Sequence, residues 1–217
     1  MPVEDMSRKE RKRLKTKDDL LVAAQELFLE HGVDAVTINQ ITEKADIGLG
    51  TFYNYFKSKS EIVDGLAESV AHVYHREIDA LTAGMEDSAE IVSASVLHTF
   101  KKAKPNSNWG KLLFDRGAPI ERITANIQSR AINDWMHGVK TGRFKVDNVP
   151  VMLALHTGGF LAVANGIYHG ILPASSDKIC AQQMLEMLGI DKAEAAKIVA
   201  KPLKRIKTHD LPVSLLD

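Results

Sequence analysis

Cysteine is nearly absent from this 217-residue chain: Cys180 is its one thiol, so an internal disulfide is excluded and no cysteine cluster exists to hold zinc. Net charge is absent too. Lys plus Arg and Asp plus Glu stand at 28 each, which leaves no global field to gather a polyanion and confines any nucleic-acid argument to local charge. The positive charge of the first twenty residues is not followed by an apolar run, so no secretory signal is read there. Also missing are a nucleophile elbow, a phosphate loop, a paired-carboxylate motif and HExxH, and catalysis has nothing specific to rest on. These absences lead us to expect a protein of a reducing cytoplasm, with no catalytic residues, no metal and no cofactor.

What is present is helical punctuation. Breaks at His31-Gly32, Asp46 to Gly48, Ala83-Gly84, Lys104 to Asn108, Gly117 to Pro119, Thr141-Gly142, Asp147 to Pro150 and Pro173 to Ser176 cut the chain into helix-length pieces. Within them the apolar period is close to 3.6: Leu20, Ala24, Leu27 and His31 form one stripe, and Ile62, Leu66, Val70 and Val73 another. The alternating Val/Ile/Thr pattern of strands does not occur, and the expected fold is all-α. Thr37 with Gln40, Ser58 with Glu61 and Asp191 with Glu194 have the form of capping boxes. Helices are therefore expected over about 17–31, 37–45 and 49–56, the last two joined by a tight turn in a helix-turn-helix arrangement, with a fourth over about 58–81.

Local charge begins the chain. Residues 7–17 carry Arg8, Lys9, Arg11, Lys12, Arg13, Lys15 and Lys17 against Glu10 alone, which reads either as a solubilising tail or as a nucleic-acid contact. The stretch GLGTFYNYFKSKSEI, residues 48–62, divides by helix face. Phe52 and Phe56 lie four apart and point toward the core, while Thr51, Asn54 and Tyr55 form a polar and aromatic ridge on the other side. Such a ridge suits the major groove, where hydroxyls, an amide and a flat ring meet base edges, thymine methyls and phosphate oxygens. Tyr53 is placed to give its hydroxyl to a phosphate, and Lys57 and Lys59 read as a phosphate clamp.

Three other features are read plainly. The 22-residue run Val151 to Leu172 has no formal charge and is about as long as a membrane span, but His156, Thr157, Asn165, Tyr168, His169 and four glycines favour a core helix that also meets a partner subunit. His72 and His75 lack a third ligand and do not make a metal site. Lys201, Lys204, Arg205 and Lys207 read as a solvated C-terminal segment.

The run AxxLFxxxGxxxxTxxxIxxxAxxxxGTxYxYFxSKxxI, from Ala24 to Ile62, resembles the N-terminal domain of the TetR family of bacterial transcriptional regulators. The resemblance covers about a quarter of the chain and departs from the family pattern at Gly48, where a capping Ser is common, and at Leu49, where Lys or Arg is common. It implies a flexible basic arm over 1–15 that follows the DNA backbone or enters a minor groove, a helix-turn-helix domain over 16–62 and a helical ligand-binding and dimerisation domain over 63–217. It further implies that Thr37 and Asn39 meet phosphate or base, Leu49, Gly50, Thr51, Asn54 and Tyr55 face the groove, and Tyr53, Lys57 and Lys59 hold phosphate.

By the same resemblance the protein is a homodimeric, cytoplasmic repressor, bound to a palindromic double-stranded operator and released by an unknown small-molecule effector. The dimer interface is expected on the last two long helices, about 149–172 and 176–189, with Gly158, Gly159, Ala162, Gly166, Met184 and Leu188. The effector pocket is expected at His98, Phe100, Trp109, Phe114, Met136, Phe160, Asn165 and Tyr168. Two rivals stay open at this point: a DNA-binding regulator with no small-molecule inducer, and a helical binding or catalytic protein whose helix-turn-helix is vestigial.

Overall fold

The computed structural model describes residues 7–216, apart from the side chains of Ser129 and Arg130. Ten α-helices and no strand occur among the described residues: α1 Arg8–His31, α2 Ile38–Lys44, α3 Leu49–Phe52, α4 Lys59–Thr82, α5 Ser88–Lys102, α6 Asn108–Phe114, α7 Ile120–Lys140, α8 Val149–Tyr168, α9 Ser176–Met187 and α10 Lys192–Val199.

Local chemistry explains most boundaries. The Thr37 hydroxyl accepts from Gln40 N while the Gln40 side chain accepts from Thr37 N at 2.8 Å, so α2 starts with a complete capping box. Ser58 caps α4, but Glu61 reaches back to the amide of Lys57, and that box is only half closed. Asp191 caps α10 through the amides of Ala193 and Glu194. α1 ends at Gly32, whose φ of 85° is a conformation that glycine adopts without strain.

Two expected boundaries move. α1 begins at Arg8, where Ser7 and Glu10 form a further capping box, so Arg8 to Lys15 make the first turns of a 24-residue helix and not a flexible arm; residues 1–6 of that arm lie outside the described residues. α3 is a single turn ending at Phe52, and Tyr53 to Tyr55 continue as turns held by Asn54 N to Thr51 O and Tyr55 N to Phe52 O. Phe52 and Phe56 are 0% and 2% exposed, and half-buried Tyr55 also packs on their core.

One core joins α1 to α4 through Leu20, Phe28, Ile41, Phe52, Ile62 and Leu66, and it continues to Trp109, Leu112 and Ile123. At Gly65 α4 presses so closely on this core that an added Cβ would stand 3.0 Å from the Phe56 ring. A second core gathers α5, α7, α9 and α10 around Trp135, Phe144, Leu185 and Leu188.

The C-terminal segment is not simply solvated. After α10, Lys204 donates to the carbonyl of Ala80, His209 N donates to Glu77 Oε1, and Asn108 donates to Leu211 O. Val213 and Gln25 then exchange two hydrogen bonds, and Asp18 accepts from Ser214 Oγ and Leu215 N. The tail thus forms a strap from α4 and α5 back to α1, with Leu211 and Val213 sealed in the first core.

Candidate DNA-reading face and effector cavity

Thr37, Asn39, Leu49, Gly50, Thr51, Tyr53, Asn54 and Lys57 are all exposed and come from the tightly joined segments α2, α3 and the turn that follows. Beneath them lies the Phe52–Phe56 pair, ring centroids 5.8 Å apart. Leu49 is 44% and Tyr53 52% exposed, so both side chains are free to meet a partner on this face. An added Cβ at Gly48 or Gly50 would meet nothing within 4 Å, so this face is open.

Two expected contacts change role. Half-buried Tyr55 packs on the core and is not part of the open ridge. Lys59 Nζ donates to the carbonyls of Asp34 and Val36 at 2.9 Å each, so it braces the loop that leads into Thr37, with two of its three donors already committed. Spacing alone could not show this, because those carbonyls come from a loop more than twenty residues earlier.

The larger helical region holds a partly open cavity of about 150 Å³ lined by residues of α4 to α9. Its wall is mainly apolar, with Val92, Val96, Ile123, Ile127, Leu153 and Phe160, and its polar members include Tyr74, Thr99, Gln128, His156 and Thr157. Tyr74 and Thr99 share a hydrogen bond of 2.8 Å, and Gln128 donates to Thr157. His156 is 2% exposed with neither ring nitrogen hydrogen-bonded, and burial holds its pKa down at about 4.

Of the eight residues expected to line a pocket, Trp109 and Phe160 do so. His98 stands behind the wall and bonds Glu77 at 2.8 Å; Phe100 packs on the Phe160 ring, and Phe114 on Tyr168. Tyr168 donates to Asp115 at 2.6 Å, half-buried Asn165 lies off the wall, and Met136 is 52% exposed. Sequence reasoning missed His156, Gln128 and Trp135. The available signal was a lone histidine within the apolar run of α8.

Glu77 is the hub behind this wall. Burial opposes its ionisation, yet hydrogen bonds from His98, Lys102 and the His209 amide outweigh that cost and bring its pKa down to about 2. Lys102, which lies on the cavity wall, has its own pKa lowered, chiefly by burial. His72 and His75 do not converge on a metal site: no group of three metal-capable side chains occurs among the described residues.

On the outer side of α8 and α9, Val151, Leu155 and Ile179 are 56%, 55% and 57% exposed, beside exposed Gly158, Gly159 and Ala162. Three expected interface residues are not on this surface. Gly166 is covered by Leu172, Met184 lines the cavity, and Leu188 is 0% exposed in the second core. α8 is long and apolar enough to cross a membrane by length and composition, but one face packs on α6, α7 and α9.

With this geometry in place, comparison with known proteins decides the family. Residues 87–201 match the tetracyclin repressor-like C-terminal domain, and residues 20–66 match the bacterial regulatory proteins of the tetR family. The chain belongs to the TetR family. It is a DNA-binding transcriptional regulator with an N-terminal helix-turn-helix and a C-terminal helical domain. A solved structure, RolR in complex with resorcinol, is 31% identical with a TM-score of 0.74, covering 91% of this chain and 100% of that one. RolR without ligand is 32% identical, with a TM-score of 0.71 over 87% and 99% of the two chains. TtgR of Pseudomonas putida is 25% identical over 75% of this chain and 70% of its own length. YvdT of Bacillus subtilis is 32% identical, but the match spans only 38% of this chain and 43% of that protein.

Proposed function

We propose that this TetR-family regulator is a cytoplasmic homodimeric repressor that leaves a palindromic operator when a small molecule fills the cavity between α4 and α9. The observation that carries the reading is the double role of α7. Its residues Ile123, Thr124, Ile127 and Gln128 line the cavity, while the adjacent Arg122 bonds Ser60 and Asp64 in the first turns of α4. α4 in turn begins with Lys59, which braces the loop before Thr37. A ligand that shifts α7 therefore acts on the mounting of the reading face, provided it binds the two arrangements with different affinity. RolR, solved both with resorcinol and without ligand, supports a small-molecule effector for this architecture.

On DNA, exposed Thr51 and Asn54 are assigned to base edges, Leu49 to a thymine methyl, and Gly50 to close approach of the backbone. Thr37, Asn39, Tyr53 and Lys57 are assigned to phosphates, with Lys59 and Tyr55 positioning that face from behind. Arg8 to Arg13 extend α1 as a cationic rod that can follow the phosphate backbone. The exposed apolar surface of α8 and α9 is assigned to the twofold interface, which must set the paired reading faces about 34–36 Å apart.

Selection of binding sites from random duplex DNA tests the proposal. A twofold-symmetric sequence should be enriched, bound with a steep salt dependence. Enrichment of no sequence at all would remove the repressor reading.

A further inference from the structure

The cavity leaves polar groups of its own without a protein partner. Both ring nitrogens of His156 are in this state, and so is the indole Nε1 of Trp109, which is 4% exposed. Buried polar groups in native proteins are nearly always hydrogen-bonded, so two such side chains on one cavity wall point to a ligand that completes them. The imidazole packs edge-on against the Trp135 ring, with centroids 4.5 Å apart and planes at 81°. A buried neutral imidazole offers one donor and one acceptor, whereas indole offers a donor only.

Charge on the wall narrows the class. Lys102 is the one cation of the wall among the described residues, and its ammonium already serves Glu77 and the His209 carbonyl, each at 2.7 Å. It also lies over the Trp109 ring, 4.5 Å from the centroid. Among the described residues an anionic ligand would find no uncommitted cation on this wall, and it would lose its hydration. Size fits a small ring, since a cavity of about 150 Å³ is of the order that takes a single benzene ring.

We propose that the cavity selects an uncharged, single-ring aromatic molecule bearing hydroxyl groups, with His156 as the specificity-determining residue that bonds one hydroxyl and Trp109 donating to a second oxygen. The apolar walls take the ring, and the two side chains reject rings that leave them unpaired. This deepens the regulator reading and rests on it for its biological use, although binding itself is measured without DNA.

Calorimetric titration of the full chain with phenol, toluene and benzoate tests it. Phenol and toluene match in size and differ in one hydroxyl, so phenol should bind about tenfold tighter or more. Benzoate should bind weaker than both. In His156→Phe, phenol should lose that advantage while toluene binds as well as before. Trp109→Phe should weaken hydroquinone, which carries a second oxygen, more than toluene. Equal wild-type affinities for phenol and toluene would overturn the proposal, as would benzoate binding tightest, no binding of any probe, or an unchanged phenol preference in folded His156→Phe. If His156→Phe does not fold, the wild-type comparison still decides. Failure here with an operator still selected from random DNA sinks the ligand class alone; a phenol preference without any operator sinks the repressor reading alone.

Discussion

Gln25 and Val213 exchange two hydrogen bonds of 2.8 Å, side chain to backbone in both directions, although 188 residues separate them. Both are 0% exposed, so neither water nor another group can replace the partnership cheaply. Gln25→Ala should destabilise the protein by roughly 2–4 kcal/mol, because a buried N–H and C=O are left unpaired. Urea denaturation should show a lower midpoint with little change in slope. Hydrogen exchange at the Val213 amide should quicken well before that of α1. An unchanged midpoint would mean that the strap contributes nothing to stability.

Glu77 sets an acid limit for the same strap. Its pKa falls from 4.5 to about 2 in the folded protein, so the folded state favours the ionised form. The stabilisation is complete above pH 4.5 and is lost as the pH falls toward about 2, where His209 N, His98 and Lys102 lose a charged acceptor. Thermal melts across this window should fall more steeply for the wild type than for Glu77→Gln. The variant itself should be less stable at pH 7, since it leaves buried Lys102 without its counter-ion.

Readers and holders on the DNA face should separate in binding assays. Asn54→Ala and Thr51→Ala should alter which operator positions matter, at about 1–3 kcal/mol per lost base contact. Tyr53→Phe and Lys57→Ala should weaken binding evenly across sequences, and Lys57→Ala should lower the salt slope by about one. Lys59→Met should weaken binding and also reduce thermal stability, because the Asp34 and Val36 carbonyls lose their donor. Full stability in Lys59→Met would return that residue to a simple phosphate contact.

Leu155→Glu and Ile179→Glu should leave helix content unchanged, since both side chains are more than half exposed in the single chain. Each places a charge on the apolar outer face of α8 and α9, where an interface of standard size would have to bury it. Sedimentation should show monomers, and operator affinity should drop at least tenfold as the two reading faces are uncoupled. A stable dimer in both variants would place the twofold contact elsewhere.

Most of the DNA-binding domain was legible because its signals are local. A capping threonine, a glutamine three residues later and two phenylalanines four apart specify helix starts and faces within a few residues. The larger C-terminal helical domain was legible only as helices. Phe100, Phe114 and Tyr168 have the amphipathic placement of pocket residues, yet each found a nearer aromatic or carboxylate partner once α5, α6 and α8 were packed. Met184 and Leu188 read equally well as interface or core, and they turned inward because α9 packs on both α5 and α8.

By itself the sequence determined an all-helical chain, the position of its helix-turn-helix and the oily anchor beneath the reading face, since all of these depend on short-range periodicity and capping. Tertiary packing alone decided that Lys59 braces a loop, that the C-terminal tail straps back onto α1, and that His156 stands unpaired in a cavity. Each of those outcomes depends on which distant group arrives within hydrogen-bonding reach. Spacing along one helix carries no record of that.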